Sequence, residues 1–291
     1  MADTNEQWDI VTSVGLTALG VAAARAVETD RDGALVEDRF AEPFVRAAEP
    51  PRPMPTRADD PAAGSGAWPW MADFLAVRSR YFDEYFAEAG RSGVRQVVLL
   101  AAGLDARSFR LDWPAGTRVF EVDQPKVLEF KDRVLAEQGA QPACERHVVD
   151  TDLRENWTKA LTEAGFDAAA PTAWLVEGLT PYLPAAAEEQ LFAEIDRLSA
   201  PGSRVGVEWV HDIAAMMADP EFRESSRLFG VDLGDLWSDE PRTPADERLR
   251  GQGWALHAET LTEAGARYGR SFDTDEARVL GTHGRLATAR R

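Results

Sequence analysis

The sequence predicts a single α/β domain: a Rossmann-like, mostly parallel sheet of seven strands with helices on both faces, an N-terminal helical extension, and a cap inserted after the fifth strand. Three observations carry this reading. Short apolar, β-branched runs alternate with helical stretches from residue 94 onward, the pattern of a parallel sheet covered on both sides. Several of those runs end in a turn bearing Gly or an acidic residue. The rhythm then breaks after Trp209 and resumes only at Trp254.

Residues 10–28 combine Ala, Leu and Val at helical spacing and end in Arg25 and Glu28, which predicts a helix. The stretch from Glu49 to Pro69 holds Pro50, Pro51, Pro53, Pro55, Pro61 and Pro69, and reads as a loop without regular structure. Residues 70–90 form an amphipathic helix, with Phe74, Leu75, Val77, Tyr81, Phe82, Tyr85 and Phe86 on its apolar face. Strands follow at Gln96–Leu100, Arg118–Val122, His147–Val149, Thr172–Val176 and Arg204–Trp209, separated by helices at Lys126–Glu137, Trp157–Ala164 and Ala185–Leu198. Two further strands are expected near Ala255–Ala258 and Ala277–Thr282.

Composition narrows the function classes. Fifty acidic residues against 32 basic ones give a formal net charge of −18, a surface that repels phosphate backbones and anionic membranes. Nucleic acid and membrane are therefore not expected as partners; a small molecule is, because the 210–253 segment looks closed and apolar. Cys144 is the single cysteine, so neither an intrachain disulfide nor a thiolate zinc site can form, and no metal is expected. The uncharged run from Ile10 to Ala24 is shorter than the roughly 20 residues that span a bilayer, and it follows an acidic start. A reducing, cytoplasmic location is the expectation; oligomeric state is not encoded legibly.

The turns carry the chemistry. Gly103 follows the first strand in Ala101-Ala-Gly-Leu-Asp-Ala-Arg, where a residue without Cβ admits a ligand close to the backbone. The three-glycine fingerprint of dinucleotide binding is absent, so a pyrophosphate is disfavoured. Asp123 ends the second strand, placed to accept from both hydroxyls of a ribose; a helix-cap role beside Pro125 is the alternative. Asp152, followed by Leu153, lies beyond the third strand, where it can accept from an adenine amino group or cap the helix before Trp157. Glu177 and Tyr182 sit in the Gly/Pro turn after the fourth strand. Together these say nucleoside cofactor without diphosphate.

At this point the chain resembles a family. Trp8-Asp-Ile-Val-Thr-Ser-Val-Gly, Arg78-Ser-Arg-Tyr-Phe-Asp, Val98-Leu-Leu-Ala-Ala-Gly-Leu-Asp-Ala-Arg, Phe120-Glu-Val-Asp-Gln-Pro, Asp152-Leu and Glu177-Gly-Leu-Thr-Pro-Tyr-Leu are similar to the actinobacterial S-adenosylmethionine-dependent methyltransferases related to leucine carboxyl methyltransferase. The resemblance implies S-adenosylmethionine as cofactor, a last strand of reversed direction, and contacts from Arg78 (to the methionine carboxylate), Gly103, Asp123, Asp152, Leu153 and Glu177. Arg25 is a looser match for a second carboxylate ligand. The turn departs from the family's commoner Gly-x-Gly, since Ala101 stands in the first position.

The expected organisation is a helical cap region at 1–90, a cofactor-binding core at 94–209, a substrate cap at 210–253 and final strands at 254–291. The expected reaction is O-methylation of a carboxyl or hydroxyl group. A carboxylate needs no base, whereas a hydroxyl would be helped by one. His211, directly after the fifth strand, is the candidate base, and Tyr182 and Trp209 are expected to line the acceptor pocket beneath the cap and the Trp68-Pro-Trp70 approach. The rival readings are a nicotinamide-dependent oxidoreductase and a non-catalytic S-adenosylmethionine-binding protein.

Overall fold

A computed structural model describes residues 10–11, 13–225 and 231–291. Trp8 and Asp9 of the first motif, and Leu228 and Phe229 of the expected cap, lie outside the described residues. The chain opens with α1 (Ser13–Thr29), α2 (Ala41–Ala48) and α3 (Trp68–Arg91). It continues through β1 (Gln96–Leu100), α4 (Arg107–Arg110), β2 (Arg118–Asp123), α5 (Pro125–Glu137), β3 (Glu145–Asp150), α6 (Trp157–Glu163), β4 (Thr172–Val176), α7 (Ala185–Arg197) and β5 (Arg204–Val210). Then come α8 (Ile213–Ala218), α9 (Pro220–Ser225), α10 (Leu233–Leu236), α11 (Ala245–Gly251), β6 (Ala255–Thr260), α12 (Leu261–Arg267), α13 (Asp275–His283) and β7 (Gly284–Arg290).

The sheet has the order β3-β2-β1-β4-β5-β7-β6, and β7 runs antiparallel to both its neighbours. Strands β1 and β4 are buried along their whole length, as apolar runs flanked by parallel partners should be. Alternate residues feed two cores. Val98, Leu100, Trp174 and Val176 face α6 and α7, while Val97, Leu99, Ala173 and Leu175 face α3. Helix α3 lies unusually close to the sheet at Gly206 of β5, where a Cβ would come within 3.1 Å of Tyr85 and 3.2 Å of Phe82. Tyr85 adds a hydrogen bond from its Oη to the carbonyl of Trp174 at 3.0 Å. The order of strands reverses between β1 and β4, so ligands are expected at the carboxyl ends of these strands.

Three expectations need correction. Residues 277–282 are helical, inside α13, and the last strand is β7. Thr274 starts that helix by accepting the N–H of Ala277, and Ala277 and Leu280 bury one face a turn apart. The 49–69 loop contains a 3-10 turn at Pro61–Gly64, capped by Asp60, and Pro69 begins α3 rather than preceding it, because its missing N–H costs nothing in a helix's first turn. Finally, the 210–253 segment divides in two. Its α11 packs Ala245 and Leu249 against Trp254 in the core beneath α6 and α7, while Val210, Phe222, Leu233 and Trp237 face a cavity on the other side. Among the described residues, no helix is long and apolar enough to cross a membrane.

Candidate active site

The turn after β1 shapes the near wall of that cavity. Both Ala101 (φ 53°) and Gly103 (φ 48°) adopt the left-handed region, so Ala101 bears a cost that a glycine would not. The turn is stitched to β2: Ala102 N–H donates to the Val122 carbonyl at 3.0 Å, and Gly103 N–H to Asp123 Oδ2 at 2.6 Å. Asp123 is not the cap of α5. Gln124 occupies that position, and its N–H donates to Asp123 Oδ1 at 2.7 Å. Burial raises the carboxyl's pKa against these two N–H donors.

Asp152 likewise leaves capping to another residue, since Asn156 starts α6. Its carboxylate accepts from Gln124 Nε2 at 3.1 Å and from the Arg154 backbone N–H at 2.8 Å, and pairs with Arg154 Nη2 at 2.6 Å. Burial would raise its pKa, but the hydrogen bonds from Arg154 outweigh burial and hold it below the ordinary value.

The cavity floor is ionic. Arg78, projecting from α3, sends Nε to Glu177 at 2.8 Å and Nη1 to Glu208 at 2.9 Å. Among the described residues its Nη2 has no hydrogen-bond partner. Gly178, at φ 63°, brings its backbone against this guanidinium, and its N–H donates to Glu208 Oε2 at 2.8 Å. Behind Glu177 stands Arg107, bonded to Glu177 at 2.7 Å, to Asp105 at 2.5 Å and to Asp83 at 2.7 Å; Arg110 completes the set on Asp83 at 2.6 Å. Burial penalises each charge, and each answers it with opposite charges. Asp105 is driven down to about 2 by Arg107 despite burial, and Arg78 is raised by Glu208 and Glu177. Glu208 goes the other way: burial and neighbouring Glu177 raise its pKa more than Arg78 lowers it.

The opposite wall is aromatic. Tyr182 meets Trp237 edge-on at 6.3 Å, Trp237 meets Phe222 at 6.2 Å, and Phe222 meets Trp70 at 6.5 Å. The cavity between wall and floor holds about 550 Å³, inside the roughly 300–1,000 Å³ typical of small-molecule sites. It brings together Arg25, Arg78, Gly103, Asp123, Asp152, Leu153, Glu177 and Tyr182. Arg25 arrives already engaged, with Nε on Asp38 at 2.9 Å and Nη2 on the Leu104 carbonyl at 2.8 Å. Burial raises the Tyr182 phenol, which is therefore a neutral hydroxyl rather than a base.

Two expected residues are elsewhere. His211 is exposed and does not line the cavity; its backbone N–H is tied to the His283 carbonyl at 2.8 Å, which turns the chain outward. Trp209 is buried in the core on the opposite sheet face, because it alternates with Glu208 along β5. Glu208 and Arg107 were not singled out from sequence. The signal for Glu208 is a lone carboxylate between Val207 and Trp209 in an otherwise apolar strand.

Residues 18–196 match the family described as leucine carboxyl methyltransferase. The chain belongs to that family. Its curated relatives agree over the full length: a Saccharopolyspora erythraea protein is 49% identical over 287 residues, covering 99% of both chains. A Mycobacteroides abscessus protein is 48% identical over 269 residues, covering 91% of this chain and 87% of the relative. Both are named as S-adenosyl-L-methionine-dependent methyltransferases. This methyltransferase therefore uses S-adenosylmethionine, and the nicotinamide alternative falls. Solved structures show the fold alone. A Thermobifida fusca protein named as a methyltransferase has a TM-score of 0.52 at 19% identity, covering 92% of this chain and 94% of the other. A Streptomyces avermitilis protein reaches 0.56 at 16% identity, with coverage of 86% and 95%.

The donor set fits the cofactor. Carboxylates at the ends of β2 and β3 suit hydroxyl and amino donors, and Arg78 keeps a free Nη2 for a carboxylate. The turn after β1 leads into a helix of only four residues, unlike the long helix start that binds pyrophosphate.

Proposed function

We propose that this methyltransferase methylates an oxygen, carboxyl or hydroxyl, of an apolar small molecule held against the aromatic wall. The observation that carries this reading is the division of one cavity into two ends. The end at β1, β2 and β3 is lined by Gly103, Asp123 and Asp152; the other is lined by Trp70, Tyr182, Phe222 and Trp237. The bound cofactor supplies a methyl group already activated by a positive sulfur. The protein's share is position and exclusion of water.

In this reading Asp123 accepts from the ribose hydroxyls with the lone pairs left beside its two backbone donors. Asp152 accepts from the adenine amino group in place of Arg154, and the Leu153 amide donates to a ring nitrogen. Arg78 Nη2 holds the methionine carboxylate, with Glu177 fixing the guanidinium. Arg25 braces the Gly103–Leu104 turn through the Leu104 carbonyl. Tyr182, whose hydroxyl lies 3.3 Å from Thr17 Oγ1, orients the acceptor at this end through hydrogen bonding. Val210, Phe222, Leu233 and Trp237, with Trp70 and Phe74, cover the acceptor.

Calorimetric titration with S-adenosylmethionine and S-adenosylhomocysteine tests the first half of this reading. Asp123→Ala is expected to weaken both by about 100-fold, as losing a buried charged hydrogen-bond partner should, and to lower the melting temperature, because the Gly103 and Gln124 N–H groups lose their acceptor. An unchanged affinity would remove Asp123 from the site. A panel of aromatic acids, phenols and alcohols then tests the second half, and methylation at nitrogen or carbon instead of oxygen would overturn it.

A further inference from the structure

The ionic floor does not balance. Arg78, Arg107 and Arg110 form one connected network with Asp83, Asp105, Glu177 and Glu208, three positive groups against four negative. The other charged groups at the cavity offer no spare cation: Arg25 pairs with Asp38, Arg154 pairs with Asp152, and Asp123 adds a further carboxylate. An unbalanced charge with side chains only 13% exposed is costly unless something arrives to neutralise it. S-adenosylmethionine carries an ammonium, a carboxylate and a sulfonium, one net positive charge. S-adenosylhomocysteine, left after transfer, has lost the sulfonium and is neutral.

We propose that Glu208 is the residue that matches the cavity floor to the charged cofactor, so that the protein holds S-adenosylmethionine in preference to its uncharged product. The other three acids are each held by an arginine network that predates the ligand: Glu177 bridges Arg78 and Arg107, Asp105 bonds Arg107, and Asp83 joins Arg107 to Arg110. Glu208 shares only Arg78, already used by Glu177, and its Oε1 has just one long contact, to Arg78 Nη1 at 3.2 Å. The groups facing it are few. Arg78 comes from α3, and Glu177, the Gly178 N–H and Tyr182 come from the turn after β4; β7 places apolar Leu286 opposite it in register. Burial, with Glu177 beside it, raises its pKa against the pull of Arg78.

The inference rests on the cofactor positions proposed above. Its test is calorimetric titration at pH 7.5 of wild type, Glu208→Gln, Glu208→Asp and Asp123→Ala. The ligands are S-adenosylmethionine, S-adenosylhomocysteine and sinefungin, whose side-chain ammonium stands in place of the sulfonium. Wild type is expected to prefer S-adenosylmethionine and sinefungin over S-adenosylhomocysteine by about tenfold, as one nearby unit charge in a half-screened site allows. Glu208→Gln should bring the preference within about threefold, by weakening the charged ligands; Glu208→Asp should retain it.

Equal wild-type affinity for the two cofactor forms would overturn the proposal. So would Glu208→Gln weakening both alike, the result expected if Glu208 merely props Arg78. If Glu208→Gln does not fold, the wild-type preference and that of Glu208→Asp decide. Asp123→Ala separates the two readings: should it leave all affinities intact, the cofactor positions fail whatever Glu208 does.

Discussion

Two buried ionic clusters lie on the same face of the sheet and differ in one respect. The first is sealed. Glu121 is fully buried and bonded to Lys131 at 2.8 Å, to Arg146 at 2.7 Å and to the hydroxyl of Ser108, and Arg146 also pairs with Asp132 at 2.7 Å. Its two positive and two negative groups balance. The second cluster, around Arg78 and Arg107, opens onto the cavity and carries one acid too many. A closed cluster has to settle its charges within the fold, whereas an open one can leave a remainder for a ligand. Burial and hydrogen bonding look alike in both; the count of charges is what separates structure from site.

Breaking the sealed cluster should have the largest effect. Lys131→Met leaves Glu121 one cation short in a fully buried site, and is expected to cost about 3–5 kcal/mol of unfolding free energy, measured by urea denaturation. A loss below 1 kcal/mol would mean that water or rearrangement reaches the site, and the contrast between the clusters would dissolve.

Acid should divide them next. Asp105 at about 2 and Glu121, held low by Lys131 and Arg146 against its burial, lie below their unfolded values of roughly 4. Their stabilisation is complete above that value and is lost as pH falls through the folded pKa. Glu208 and Asp123 are raised, so the folded state binds their protons more tightly and gains stability as pH falls through those raised values. The ligand-free protein should therefore melt slightly higher near pH 5 than at pH 7.5 and progressively lower below pH 4. In Glu208→Gln the rise should shrink and the acid loss should stay.

The smallest effect belongs to the turn between the clusters. Ala101→Gly removes left-handed strain of roughly 1–3 kcal/mol but frees the unfolded chain by about 0.5–1 kcal/mol. The net gain is expected to be on the order of 1 kcal/mol, visible as a melting temperature a few degrees higher. A lower melting temperature would show that the turn is relaxed as it stands.

The sequence displays those parts of the fold whose residues agree with their own neighbours. Strands β1 and β4 read correctly to the residue because a parallel strand buried on both faces is one unbroken apolar run. Strand β7 did not, because Ala287 and Ala289 have little preference for a strand and owe their state to β5 and β6 on either side. The site divides the same way. Gly103, Asp123, Asp152 and Glu177 each follow a recognisable strand, so order along the chain exposes them. Glu208 acquires meaning only from Arg78, 130 residues earlier, and His211 looked suitable because sequence shows proximity to a strand end but not the direction the chain takes on leaving it.

The reversed strand has a consequence for assembly. Strand β7 follows both of its partners in the chain, yet it lies between them. Until it inserts, β5 presents an open edge and β6 has no place in the sheet at all. A nascent or partly unfolded molecule can complete β1 to β5 and still expose that edge, the kind of surface that recruits a second chain. Closing it joins residues distant in sequence, a slow class of step. The vulnerable interval in the life of this protein is thus the wait for a single strand to arrive.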